Sequence, residues 1–423
     1  MTPATTPYPA RLVGVDLARL LALLGMFAAH LIPLEDGAAP VLFQVVAGRS
    51  SALFALLAGV SLVIVARTST AGDLAVHRAR LLARAAVVAL VGMVLGLLDS
   101  GVAVILVYYG LLFCCALPVL RWRASSLAWL ALGWGLASPV VSILLRGVLP
   151  PSSYQVPSLA SLVDPWQLVT ELAVTGYYPV LTWATYLFAG MAAGRALTPA
   201  LTGTGGARGR GAKASEVRPP SADHLVPLRT LRTLLLGAWL AALALGVSGW
   251  ATRSPQVRQV LLESWGVTGR WGDLATELRS GFYGTHPEGS WWWLAVWAPH
   301  SGSVVDLAHT TGSALLVLGS CLVLVRLTAA LPWRVISGAG AMTLSLYSAH
   351  VIVLSTPAGT GGPLGQEGEH ALLLHGVTAV VVGAGFALAR RRGPLEWCVR
   401  ATTLVAAPGP GLPHPGAGPS PRL

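Results

Sequence analysis

Charged side chains are scarce in this chain: Asp, Glu, Lys and Arg make up 11% of its 423 residues, against 54% hydrophobic residues and a mean hydropathy of +0.67. So little polar surface excludes a water-soluble globule and leaves a polytopic membrane protein. Strict apolar/polar alternation is also missing, which excludes a transmembrane barrel. The long continuous apolar runs make helices the spanning element, because only a helix or a closed barrel satisfies its backbone in lipid. Cysteine is equally rare. Cys114, Cys115, Cys321 and Cys398 form no CxxC pair, read as small packing residues, and give no reason to expect a disulfide or a metal. P-loop, HExxH and GxSxG motifs are absent too, so the chemistries built on them are not supported.

What is present is an all-α pattern, a transmembrane helical bundle of about ten spans. With a window of ~20 residues, the candidate spans lie near 14–34, 50–66, 82–99, 102–120, 126–149, 176–196, 230–251, 303–326, 334–355 and 371–390. The first is expected to stay as an anchor, since Arg11, Asp16 and Arg19 reach into its start and no small-x-small cleavage site follows. Placing both termini in the cytoplasm puts 22 of the 28 Lys and Arg inside and 12 of the 17 acidic residues outside. That asymmetry is what the positive-inside rule expects. It explains the net charge of +11 as topology and excludes nucleic acid as a partner.

The chain divides into a six-span half (1–197), a Gly-rich basic cytoplasmic linker (198–229) and a four-span half (230–404), ending in a Pro/Gly tail (405–423). Linker and tail lack apolar periodicity and are expected to be disordered. The external loop 252–300 holds Trp265, Trp271, Trp291, Trp292, Trp293 and Trp297. Such a run reads as an interfacial belt or as a stacking surface for an external ring.

On this topology histidine is one-sided. His30, in the span ARLLALLGMFAAHLIP, is eleven residues beyond Arg19, or roughly 16 Å up the helix, in the outer half of the membrane. His286, His300, His309, His350, His370 and His375 also fall outside or in outer halves of spans. His286, His370 and His375 read as interfacial. His30, His300 and His350 are the candidates for chemistry, because ionisable groups at membrane depth usually face a bundle interior or a wet cavity. His350 lies in SLYSAH. His300 opens PHSGSVVDLAHTTGS, where Asp306 stands one turn before His309 and is expected to fix its tautomer. Imidazoles, a carboxylate and hydroxyls in one cavity suit a general base, a nucleophile or a proton relay.

Arg49 is basic at an outer helix start, against the charge rule. It either snorkels to headgroups or holds an anionic group in the cavity. Beyond it Ser51, Ala55 and Gly59 make a small-xxx-small face for close helix contact. Asp16 and Arg19 are spaced to pair at the inner mouth of the first span. Tyr177 and Tyr178, in TGYYP, stand at the outer start of the sixth span.

Together, VGVDLARLLALLGMFAAH, AGRSSALFALLAGVSL, TGYYPVLTWATYLFAGMAAGR, PHSGSVVDLAHTTGSALLVLG, GAMTLSLYSAH and GPLEWCVR resemble the bacterial YeiB-like, heparan-alpha-glucosaminide N-acetyltransferase-like transmembrane acyltransferases. The resemblance runs in order from the first span to Arg400. It implies a plasma-membrane enzyme moving an acyl group, acetyl in that family, from cytoplasmic acyl-CoA to an acceptor on the other face. On that reading Asp16, Arg19, Arg78 and Arg80 meet the acyl-CoA, and His30, His300, Asp306 and His350 form the catalytic set. Arg49 with Tyr177 supports the substrate and the oxyanion. The partners are the bilayer and an external small-molecule, glycan or lipid acceptor, with a homodimer allowed and no metal expected. The alternative class is a small-molecule or lipid transporter with an outer His-lined cavity, though the halves show no internal similarity.

Overall fold

A computed structural model describes residues 12–32, 40–68, 74–201, 228–266, 269–328, 330–357 and 368–407. Among them every regular element is helical. α1 (Val13–Leu31) is followed by the short α2 (Val41–Val46), then α3 (Arg49–Thr68), α4 (Leu74–Leu95), α5 (Leu106–Ala116) and α6 (Ala124–Arg146). α7 (Pro165–Thr170) runs into one π-helical turn, Glu171–Thr175, ahead of α8 (Val180–Leu201). The second half contains α9 (Leu228–Arg253), α10 (Pro255–Trp265), α11 (Trp271–Ser280), α12 (Val304–Leu327) and α13 (Ala330–Ile336). It ends with α14 (Thr343–Leu354), α15 (Glu369–Leu388) and α16 (Pro394–Ala406).

A helix lies at each of the ten segments expected to span. Among the described residues, six helical stretches are long and apolar enough to cross a membrane: α1, the α2–α3 stretch Val41–Ala66, α6, α9, α12 and α15. α5 and α14 are shorter apolar helices of 11 and 12 residues. Most of the linker 198–229, and the tail from 408, lie outside the described residues.

Burial sorts these helices into centre and rim. The apolar windows of α1 and α3 are 72% and 67% buried, whereas those of α6, α9 and α15 are 28% or less, so α1 and α3 form the axis and the others turn much of their surface to lipid. α3 packs along α8, α9 along α12, and α6 on the far side of α8. The small-residue face of α3 makes the first contact possible. A Cβ on Gly59 would collide with the Leu187 carbonyl of α8, and one on Gly190 with the Leu56 carbonyl of α3. The α9–α12 pair is as tight, since a Cβ on Gly312 would stand 2.6 Å from the Ala241 nitrogen.

α12 also packs against α1 and α3. The two sequence halves therefore share one bundle, and a site can draw on both. Ahead of α12, α10, α11 and the turn Trp291–Ala295 close over a small apolar cluster that includes Val257, Leu261, Leu274, Leu278 and Trp293. Trp293 is fully buried there, with its indole donating to Ser264 Oγ at 3.0 Å, while Trp291 stays exposed. The tryptophan run is thus divided between a core and a surface and does not form a uniform belt.

Candidate functional site

The site at the His30 end of α1 is assembled from six places in the chain. α1 delivers His30 in its last turn and stops there: Ile32 is already extended at φ −87° and ψ 113°, the conformation favoured before the proline at 33. α14 carries His350 and α15 carries His375. His30 Nδ1 and His350 Nε2 are 3.2 Å apart, and His350 Nδ1 and His375 Nδ1 are 2.9 Å apart. Phe27, one turn below His30, stacks on His350 with centroids 4.2 Å apart and fixes that ring between its two partners. His375, read from the sequence as interfacial, is therefore part of the cluster.

His300 comes from the turn ahead of α12 and has a φ of 57°, a strained value for a residue with a Cβ. The neighbouring loop holds it so: Phe282 N donates to Pro299 O and His286 N to Ser301 O, both at 2.9 Å. Its ring lies in an aromatic box, 4.6 Å from Tyr177, 5.6 Å from Tyr178 and 6.3 Å from Trp183 between centroids. His300 Nδ1 is buried without a hydrogen-bond partner among the described residues. Burial, and secondarily the nearby His30, hold its pKa down at about 4. A buried neutral imidazole with an unused nitrogen is what a base or acceptor-orienting group requires. The Tyr177 ring also packs against Tyr178 and Tyr283, with centroids 4.6 and 4.7 Å away.

Asp306 does not fix His309. Ser303 is the N-cap of α12 and accepts from Asp306 N at 2.9 Å, while the Asp306 carboxylate turns back to accept from Gly302 N at 3.0 Å. This reciprocal arrangement at a helix start is a local solution that satisfies two orphan donors, and it outcompetes the pairing one turn along. Asp306 Oδ1 remains buried without a partner among the described residues. His309 bonds instead to Arg49, whose Nε donates to its Nε2 at 2.9 Å, and its Nδ1 faces Ala241 O at 3.2 Å. Arg49 also donates to the carbonyls of Gln44 and Val45 and lies 4.7 Å over Trp297. Its guanidinium is thus held by protein groups and does not snorkel. Arg49 and Tyr177 sit with different neighbours, the first with His309 and Trp297, the second with His300.

His286, likewise read as interfacial, is buried to 3% exposure. Its carbonyl accepts from Arg146 Nη1 at 2.7 Å. Burial and then the Arg146 charge lower its imidazole to about 4, against the bond to the Pro287 carbonyl, which raises it.

At the opposite end of α1, Arg19 Nη1 pairs with Asp16 Oδ1 at 2.6 Å and Nη2 donates to Ser61 Oγ of α3 at 2.6 Å. Of the two arginines expected beside it, Arg78 is exposed and Arg80 is tied to the Ala407 carbonyl at 2.9 and 3.0 Å. The residue missed from sequence is Arg84, one turn beyond Arg80, which lies in electrostatic reach of both Arg19 and Glu396. Its buried Nε has no partner among the described residues. Glu396 itself is committed to the start of α14, accepting from Leu344 N at 2.8 Å and from Ser345 Oγ at 2.5 Å. Among the described residues no group of His, Cys, Asp and Glu is placed to hold a metal ion.

A polar inner mouth and an imidazole-rich outer end thus sit on one buried helix. Residues 11–214 match the family model described as heparan-alpha-glucosaminide N-acetyltransferase, catalytic. Over that stretch the chain is similar to this family. No curated protein matches the chain. The acetyltransferase segment covers α1 to α8 and so contains Asp16, Arg19, His30, Arg49, Arg84 and Tyr177. His300, Asp306, His350 and His375 lie beyond it. The similarity therefore takes in His30, Arg49 and Tyr177, and the remaining imidazoles are supplied by segments that the match does not include. Six helical stretches long and apolar enough to cross a membrane accord with the membrane character of that family.

Proposed function

We propose that this protein is a ten-span plasma-membrane enzyme with cytoplasmic termini, transferring an acetyl group from cytoplasmic acetyl-CoA to an amine or hydroxyl of an acceptor at the outer face. The observation carrying this reading is the pair of polar ends on α1. Arg19, fixed by Asp16 and Ser61, stands at one end, and His30, beside His300 and His350, stands at the other. Eleven residues of helix separate them by roughly 16 Å, a span that a pantetheine arm covers. The CoA phosphates are assigned to Arg19 and Arg84, two guanidinium groups within electrostatic reach of each other.

In the outer site His30 acts as general base on the acceptor. Its Nδ1 is committed to His350, so Nε2 takes the proton while the acceptor's nitrogen or oxygen attacks the thioester carbonyl. The new C–N or C–O bond forms, the C–S bond breaks, and its electron pair leaves with the CoA sulfur towards the cytoplasm. Tyr177, its ring 4.6 Å from that of His300, donates its phenol proton to the transient oxyanion as a hydrogen bond. His300, neutral in its aromatic box, orients the acceptor.

Purified protein in detergent, incubated with acetyl-radiolabelled acetyl-CoA and a panel of amino sugars, alcohols and amines, tests this. Label is expected on at least one acceptor with wild type and to fall about 100-fold or more with His30→Ala, the usual size of a lost general base. Absence of acetyl-CoA binding and of turnover with every acceptor sinks the acyltransferase reading and leaves transport.

A further inference from the structure

The proton taken by His30 has to leave a site enclosed by helices. The structure lines up three imidazoles from three different helices. His30 on α1, His350 on α14 and His375 on α15 are joined by nitrogen–nitrogen contacts of 3.2 and 2.9 Å. Both nitrogens of His350 are used, one on each side. Its ring is 2% exposed and is clamped on its face by Phe27, so it is too enclosed to meet substrate. A largely apolar cavity of about 150 Å³ borders it, with His350, His375 and Thr378 as its polar lining.

We propose that His350 and His375 form a proton relay that drains His30 during acyl transfer, with His375 as its outer terminus. The inference rests on the acyltransferase reading of the site. The atoms balance as follows. In the resting tautomers His30 Nδ1–H donates to His350 Nε2, and His350 Nδ1–H donates to His375 Nδ1. When the acceptor's proton binds His30 Nε2, the His30 Nδ1 proton passes to His350 Nε2. The His350 Nδ1 proton then passes to His375 Nδ1, and the proton on His375 Nε2 is released to water. No imidazole keeps an extra proton, the departing CoA thiolate is protonated from the cytoplasmic side, and ring rotation restores the tautomers. His350 and His375 are positioning residues in this scheme, since both act through His30.

The test uses the full chain reconstituted in lipid vesicles with acetyl-CoA and whichever acceptor supports turnover. His375→Ala is expected to lower kcat roughly ten- to hundredfold, below the loss for a direct general base, with KM for acetyl-CoA within twofold of wild type. Added imidazole restores much of the rate in His375→Ala and none in His375→Phe, whose ring fills the space. A kcat within twofold of wild type, or a loss that appears in KM and is not rescued, overturns the relay. A second readout is independent of turnover: nitrogen-15 histidine NMR of the protein in bilayers should show two couplings across N–H···N bonds, one of them lost in His375→Gln. Absence of both couplings in wild type overturns the relay whatever the activity. Absence of wild-type turnover with both couplings present overturns the acyltransferase reading and leaves the imidazole chain standing.

Discussion

Acid should loosen the outer site through His286, a residue with no role in the chemistry. Its imidazole is held at about 4 by burial and by Arg146, against about 6.5 in an unfolded chain. The folded state therefore binds fewer protons than the unfolded state between these values. The stability that this group supports is complete above pH 6.5, declines as pH falls, and is fully lost near pH 4. At about 1.4 kcal/mol per pH unit, acidification from pH 6.5 to 5 removes about 2 kcal/mol. His286→Gln abolishes the titration while leaving the backbone bond from residue 286 to Ser301 O. Denaturant unfolding of purified protein in micelles, followed by tryptophan fluorescence at pH 7.5, 6 and 5, gives both stabilities. The gap between wild type and variant should shift by about 2 kcal/mol over that range in favour of the variant. His300, lowered for a similar reason, titrates in both proteins and cancels in the difference. Because His286 N donates to Ser301 O, the protection factor of the His286 amide in wild type, measured relative to the intrinsic exchange rate at each pH, should fall between pH 7.5 and pH 5. Parallel pH dependences for the two proteins would refute the reasoning.

Three further outcomes are expected. Ser303→Ala removes the N-cap of α12, which accepts from Asp306 N, and should cost about 1 kcal/mol by the same unfolding assay. Gly190→Val places a side chain against the Leu56 carbonyl and should separate α3 from α8; size-exclusion chromatography should show loss of the monodisperse peak, and a normal peak would contradict the close approach. In a background with all four cysteines replaced by serine, Asp99→Cys should react with a membrane-impermeant maleimide on intact cells and Arg123→Cys only after lysis. The reverse pattern overturns the ten-span orientation.

Arg84 and His375 show where sequence reasoning stopped short. Arg84 sits one turn from Arg80 and carries the same positive-inside signal, so composition cannot tell which of the two turns towards Arg19. His375 lies near the start of an apolar helix, where an interfacial reading is the ordinary one, and only the rotation of α15 against α14 brings it to His350. Asp306 erred in the other direction: its spacing to His309 suits an ion pair, but a helix start offers a carboxylate nearer donors.

The sequence by itself determined the solvent, the helical class, the small-residue face of α3 and the gathering of imidazoles towards one end of the helices. Those properties follow from apolar length, charge count and residue spacing, which are local quantities. Tertiary structure alone decided which imidazoles meet, because His30 and His350 are 320 positions apart. Their contact depends on how α1, α14 and α15 are rotated in the bundle, and that is set by side-chain packing between helices, not by any pattern along one of them.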